Sequence, residues 1–216
     1  MNEFNMKTIV LGIVQTNCYI ISNGNTKEAI VIDPADDAMK IEQYLKANDL
    51  ACKGILLTHG HFDHIMAAKE LSEDTQAKIY AHEEEVKLLQ DAQMNASAHI
   101  RRECILTPDV MLKDQEVLTL AGFTVKVIHT PGHTGGGVCY YFSGHGVLIS
   151  GDTLFREDIG RSDVPTGDGK KLVESILNKL MILEDSVKVY PGHGESTTIG
   201  YERDNNIYLT LDGNNF

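Results

Sequence analysis

Short apolar runs rich in β-branched residues recur along the chain and alternate with segments of helical period. The runs Thr8–Val14, Cys18–Ser22, Ala29–Ile32, Gly54–Thr58 and Lys78–Tyr80 predict strands in the first half. Glu116–Leu120, Phe123–His129, Gly137–Phe142, Gly146–Ser150 and Ser186–Tyr190 predict strands in the second. Helices are predicted over Asp36–Asn48, where Ile41, Tyr44 and Leu45 share a face, and over Asp63–Glu73, where Ile65, Ala68 and Leu71 do. Two more are predicted over Glu83–Gln93 and Gly169–Leu180, the last with a stripe of Leu172, Val173, Ile176, Leu177 and Leu180. Turns fall at Asn23–Gly24, Asp33–Pro34 and Pro131–Gly132. Interleaved strands and helices, with some strands in hairpin-like pairs, predict an α/β (α+β) fold of mixed sheets with helices outside.

No repeat, linker or low-complexity tract divides the chain, so residues 1–216 are expected to form a single domain. The formal net charge is −12, from 19 basic and 31 acidic residues, with no basic run. A surface of that sign repels polyanions, so no nucleic-acid partner is expected. The early apolar run Ile9–Val14 is too short to cross a membrane and lacks a signal-peptide pattern. Cys18, Cys52, Cys104 and Cys139 form no paired motif, which fits reduced thiols. Together these features predict a cytoplasmic protein that acts on a small molecule without a membrane partner.

Candidate chemistry gathers where strands end. The apolar run before Thr58 leads into Thr58-His-Gly-His-Phe-Asp-His64, which holds His59, His61, Asp63 and His64. Such density of imidazole and carboxylate is the pattern of a metal site. Later runs deliver His133 in Pro131-Gly-His133, Asp152 in Gly151-Asp152 and His193 in Pro191-Gly-His193-Gly. Ligands at the carboxyl ends of strands converge on one rim of a sheet, and adjacent glycines allow close approach. No cysteine sits among these groups, which argues against a closed structural zinc.

These motifs, in this order and spanning almost the whole chain, resemble the metallo-β-lactamase superfamily. The resemblance implies an αββα sandwich: two mixed β-sheets face to face, helices on both outer faces, metals at one edge. Asp152-Thr-Leu-Phe155, Gly160-Arg161-Ser-Asp163 and Gly200-Tyr-Glu202-Arg-Asp-Asn-Asn206 look most like the glyoxalase II group, in its short form without a carboxyl-terminal helical extension. The family pattern implies that His59, His61 and His133 hold one metal. It implies that Asp63, His64 and His193 hold a second, with Asp152 bridging. Two divalent ions are therefore expected, zinc first, with iron or manganese as alternatives.

Two ions about 3.5–4 Å apart can share a water and lower its pKa from 15.7 to about 7. That hydroxide is the expected nucleophile against an acyl thioester, S-lactoylglutathione by family implication. Asp63 is expected to orient it and take its proton. Arg161 is weighed as an anion clamp for substrate against an ion pair with Asp163 or Asp158. The longer enzymes of the group carry tyrosines where this chain has Asp163 and Gly194-Glu195-Ser196. A persulfide dioxygenase using one iron and a lactone hydrolase are the rival activities; a nuclease would require a basic insertion that is not visible. Ser150, Tyr140, Tyr141 and Cys139 are expected to be strand residues. His129 is expected to be a polar strand end, and His82, His99 and His145 surface or helix-end groups.

Overall fold

The computed structural model describes residues 3–210. The expected lack of a carboxyl-terminal extension concerns the chain's final residues, which lie outside that range. Two six-stranded sheets form the centre. The first contains β1 (Phe4–Leu11), β2 (Thr16–Asn23), β3 (Glu28–Ile32), β4 (Ala51–Leu56), β5 (Ile79–His82) and β6 (Val110–Leu112), in that spatial order. The second contains β7 (Val117–Leu120), β8 (Phe123–His129), β9 (Val138–Phe142), β10 (Val147–Gly151), β13 (Lys188–Pro191) and β14 (Thr197–Thr198). A small hairpin, β11 (Leu154–Phe155) with β12 (Asp158–Ile159), comes after β10. Both large sheets are mixed: β3 to β6 pair in parallel, as do β10 and β13, while hairpin-linked neighbours are antiparallel.

The central strands read as continuous apolar runs because both of their faces are buried. In β2 and β3, Cys18, Ile20, Ala29 and Val31 face a cluster with Ile41 and Leu45 of α1 (Ala38–Ala47) and Leu71 of α3 (Ala68–Thr75). The alternate residues Tyr19, Ile21, Ile30 and Ile32 meet Val125, Val127, Tyr140 and Ile149 of the second sheet. The outer face of that sheet, through Ile128, Cys139, Leu148 and Val189, packs on Leu172, Ile176 and Leu180. These belong to α5 (Gly169–Ser175) and the π-turn Ile176–Leu180 that continues it. This is the sandwich of two facing sheets with helices outside.

The differences from expectation are local. The first strand ends at Leu11, because Gly12 takes a positive φ of 70° and the Gln15 N–H closes a turn on the Gly12 carbonyl. The helix expected over Asp63–Glu73 is split into α2 (Phe62–Ile65) and α3, since the Ala67 N–H bonds the Pro34 carbonyl at 2.9 Å instead of continuing the ladder. The helix expected over Glu83–Gln93 shrinks to a 3₁₀ turn, Glu83–Glu85, and α4 (Val86–Leu89). Asp91 Oδ1 accepts from the backbone of Gln93 and Met94, and that local turn competes with the helix. Unforeseen elements are β6, β11, β12, β14 and the helices α6 (Ile199–Asn205) and α7 (Ile207–Thr210).

Candidate metal centre

Parallel pairing sets the carboxyl ends of β3 and β4 side by side, and likewise those of β10 and β13. Just beyond these ends lie Asp33, His59, Asp152 and His193, all at one edge of the sandwich. His133 arrives from the loop after β8, which a Val138 N–H to Thr58 carbonyl bond fastens to the loop after β4.

The sequence-predicted donors form two groups. His59 Nε2 and His61 Nδ1 lie 3.2 and 2.9 Å from His133 Nε2. Three imidazole nitrogens around a zinc ion at 2.0–2.1 Å would be roughly 3.3 Å apart, so this spacing suits a cation at their centre. In the second group, Asp63 Oδ2 is 3.2 Å from His193 Nε2 and 3.6 Å from His64 Nε2. Asp152 lies between the groups: Oδ2 is 3.6 Å from both His133 Nε2 and His193 Nε2, and Oδ1 is 3.4 Å from His64 Nε2. His64 Nε2 and Asp152 Oδ1 are buried without a hydrogen-bond partner. Orphaned buried polar atoms are costly in a folded protein, and a pair aimed into a donor cluster is what a metal ion would satisfy. The donors form three overlapping trios, His59–His61–His133, His59–His64–Asp152 and Asp63–His64–His193, a set of imidazoles and carboxylates suited to two metal ions.

Electrostatics divides the groups. Burial, reinforced by neighbouring imidazoles, pushes His59 well below the ordinary histidine range and His61 down to about 3. Burial also lowers His133. These rings are neutral, the form that ligates metals. Burial opposes charging of His64 as well, but Asp152, Asp63 and Asp33 outweigh it and hold its pKa well up. For His193, Asp152 and Asp63 overcome burial and lift it to about 9. Burial would raise Asp63, yet His64 and His193 hold it at about 2.

Several orienting groups were not foreseen. Asp33, expected only as part of a turn, accepts the Thr58 N–H and hydroxyl, both at 2.7 Å, and contacts His64 Nδ1 at 2.9 Å. This leaves His64 Nε2 for the metal. The signal was available: β3 runs into Asp33-Pro34 as the other strands run into ligands. His133 Nδ1 donates to the Arg161 carbonyl at 2.7 Å, which directs Nε2 inward. The Thr16 hydroxyl, fully buried, donates to Asp63 Oδ2 at 3.0 Å. Asn17 Nδ2 holds the carbonyls of Pro191 and Gly194, and the Tyr19 hydroxyl donates to Pro191, fixing the loop that carries His193. Gly192 is required there, since a Cβ would lie 2.7 Å from His64 Cε1 and closer still to Asp152 Oδ1.

The centre opens into a cleft of about 740 Å³ with apolar walls that include Val14, Phe62, Phe155 and Val164. Arg161 lines it, but its guanidinium forks onto Asp163 at 2.7 and 2.8 Å. Arg156, also on the rim, pairs with Glu195 at 2.7 Å. The remaining polar candidates sit elsewhere. His82 is buried rather than superficial, caps the Glu84 N–H and stacks on His129 with centroids 4.0 Å apart. His129 also contacts the Gly135 carbonyl through Nε2. His99 and His145 are exposed, each in a 3₁₀ turn. Tyr140 is a core strand residue whose hydroxyl donates to Leu57; Ser150 and Cys139 are buried strand residues. Tyr141 is half-buried in the same strand. No helix among the described residues is long and apolar enough to cross a membrane.

Comparison with known proteins agrees with this geometry. The family described as the metallo-beta-lactamase superfamily matches residues 11–193. A hydroxyacylglutathione hydrolase, GloC, of Haemophilus influenzae is 36% identical, over 95% of this chain and 98% of its own. Among solved structures, BLEG-1, described as a B3 metallo-beta-lactamase, superposes with a TM-score of 0.91 at 41% identity, covering 95% of this chain and 100% of the other. TTHA1623, solved in a di-iron-bound form, gives 0.82 at 34% identity, covering 94% and 100%. The chain therefore belongs to the metallo-β-lactamase superfamily, and its hydroxyacylglutathione hydrolase relative supports a place in the glyoxalase II group.

Proposed function

We propose that the protein is a dinuclear metal-dependent hydrolase of acyl thioesters, with an S-acylglutathione of the S-lactoylglutathione type as substrate. The observation that carries this reading is the second donor group. Asp63, His64 and His193 stand beside a complete first group, with Asp152 within reach of both. A one-iron dioxygenase of the same fold would need only part of this donor set, so the number of bound ions separates the two readings. The relationship to GloC supports the choice of thioester. The di-iron relative supports iron beside zinc as the metal.

When bound, the two ions supply Lewis acidity and a water of lowered pKa. The chain's own groups do the rest. Asp63, kept ionised and anchored by the Thr16 hydroxyl, orients the attacking water and takes its proton. The apolar walls of the cleft hold the acyl and thiol portions and exclude bulk water. Arg161 is positioned to receive a substrate carboxylate in exchange for Asp163.

A steady-state assay of the metallated protein tests the proposal, with S-lactoylglutathione, other thioesters, lactones, a cephalosporin and glutathione persulfide side by side. Thioester cleavage exceeding all others, with two ions per chain, is the expected result. Dominant turnover of the cephalosporin, which the likeness to BLEG-1 makes the second reading, would replace it. Oxygen consumption with one iron would do the same in favour of a dioxygenase.

A further inference from the structure

Glu85 is a buried carboxylate, 1% exposed, outside the donor set. It ends the 3₁₀ turn Glu83–Glu85. Each oxygen accepts one backbone N–H. Oε1 takes Gly60 N–H at 2.8 Å, and Oε2 takes Gly136 N–H at 2.8 Å. Gly60 lies between His59 and His61. Gly136 closes the loop that begins at His133. One carboxylate thus joins the two loops that supply every imidazole of the first donor group.

The fit is tight on both sides. A Cβ on Gly60 would meet Leu88 and Leu89 of α4 at 2.8 and 2.9 Å, and one on Gly136 would collide with the backbone at Glu85. Burial pushes the Glu85 carboxyl up, and the Gly60 and Gly136 N–H groups work against it. A buried anion without a cationic partner is costly, and a metal ion held by uncharged imidazoles just across the loop is a natural counter-charge.

We propose that Glu85 is a positioning residue for the first metal ion, holding His59, His61 and His133 in register and contributing negative charge behind them. This rests on the two-metal reading of the centre. Glutamine at position 85 keeps the shape but presents an amide N–H to one of two N–H donors, so one bridge is replaced by a repulsion. Loss of such outer partners typically weakens metal binding about 10–100-fold.

The test is a titration of the metal-stripped full chain with zinc against a chromophoric chelator, comparing wild type, Glu85→Gln and the exposed neighbour Glu84→Gln. The expected result is two binding steps in wild type and Glu84→Gln. In Glu85→Gln one step is weakened about 10–100-fold and the other is unchanged. A purely structural role would lower the melting temperature of the stripped protein yet leave both affinities intact, and that outcome overturns the proposal. Failure of wild type to bind two ions would instead reject the two-metal reading itself. A second measurement serves if Glu85→Gln does not fold. In stripped wild type the Gly60 and Gly136 amide protons should exchange slowly; fast exchange of either one overturns the clamp.

Discussion

Asp63 is held from three directions: the Thr16 hydroxyl at 3.0 Å, His193 at 3.2 Å and His64 at 3.6 Å. Asp63→Asn keeps the shape but removes the proton acceptor. The expected loss in kcat is about 10²–10⁴-fold, with two ions still bound by metal analysis; near-normal turnover with both ions in place would remove Asp63 from the chemistry. Thr16→Val deletes one hydrogen bond to that carboxylate and should cost about 10–150-fold in kcat, since a bond to a charged group contributes about 1.5–3 kcal/mol. Thr16→Ser should recover most of the loss. Arg161→Gln should raise KM for a carboxylate-bearing thioester several-fold while leaving kcat and an uncharged thioester little changed. These residues were unequally legible. His59, His61, Asp63 and His64 announce themselves by density along the chain. Asp33 is marked by the strand that runs into it, but its partner His64 is not; Thr16 and Glu85 carry no such mark, because each acts on a partner distant in sequence, Asp63 and Gly136.

The elements obey the apolar pattern wherever a whole face or both faces are buried. The stripe over Gly169–Leu180 holds for Leu172, Val173, Ile176 and Leu180, which are buried through a change from α-helix to π-turn at Ile176, whereas Leu177 is exposed. Leu172 is fully buried there against the second sheet. Leu172→Ala should cost about 2–5 kcal/mol in denaturant unfolding. Pattern fails where one backbone or side-chain bond decides, as when Pro34 captures the Ala67 N–H or Asp91 folds the chain back. It also fails for two-residue strands such as β11 and β14, which are too short to show a period. Lys179 of the π-turn is bonded to Asp114, which also accepts the His129 N–H, so helix and sheet are tied at this point. Burial works to raise Asp114, but Lys179 and the N–H donors win and hold it at about 2. Because the folded value is depressed, the stabilisation is present above about pH 4, the ordinary aspartate range. It is lost as pH falls through 2. Asp114→Asn should therefore destabilise at pH 7 by at most about 1 kcal/mol, solvent screening the pair, and the difference from wild type should vanish near pH 2.

At the scale of the molecule, the sandwich does one thing for the site: it brings strand ends from both sheets to a common edge. β4 supplies the 59–64 cluster from the first sheet, while β8, β10 and β13 supply His133, Asp152 and His193 from the second. Packing of Tyr19 and Ile30 against Val127 and Tyr140 joins the two sheets, and the Val138–Thr58, Asn17–Pro191 and Glu85 bonds tie their loops at the centre. The common edge is readable as a repeated strand–glycine–ligand order; the register of the two facing sheets is not, because contacts between residues far apart in the chain set it. Anomalous diffraction from crystals of the zinc-loaded protein tests this arrangement most directly. Two peaks are predicted, one among His59, His61 and His133 and one among Asp63, His64 and His193, with Asp152 touching both. A lone peak, or ions held by other residues while these donors stand empty, would contradict it.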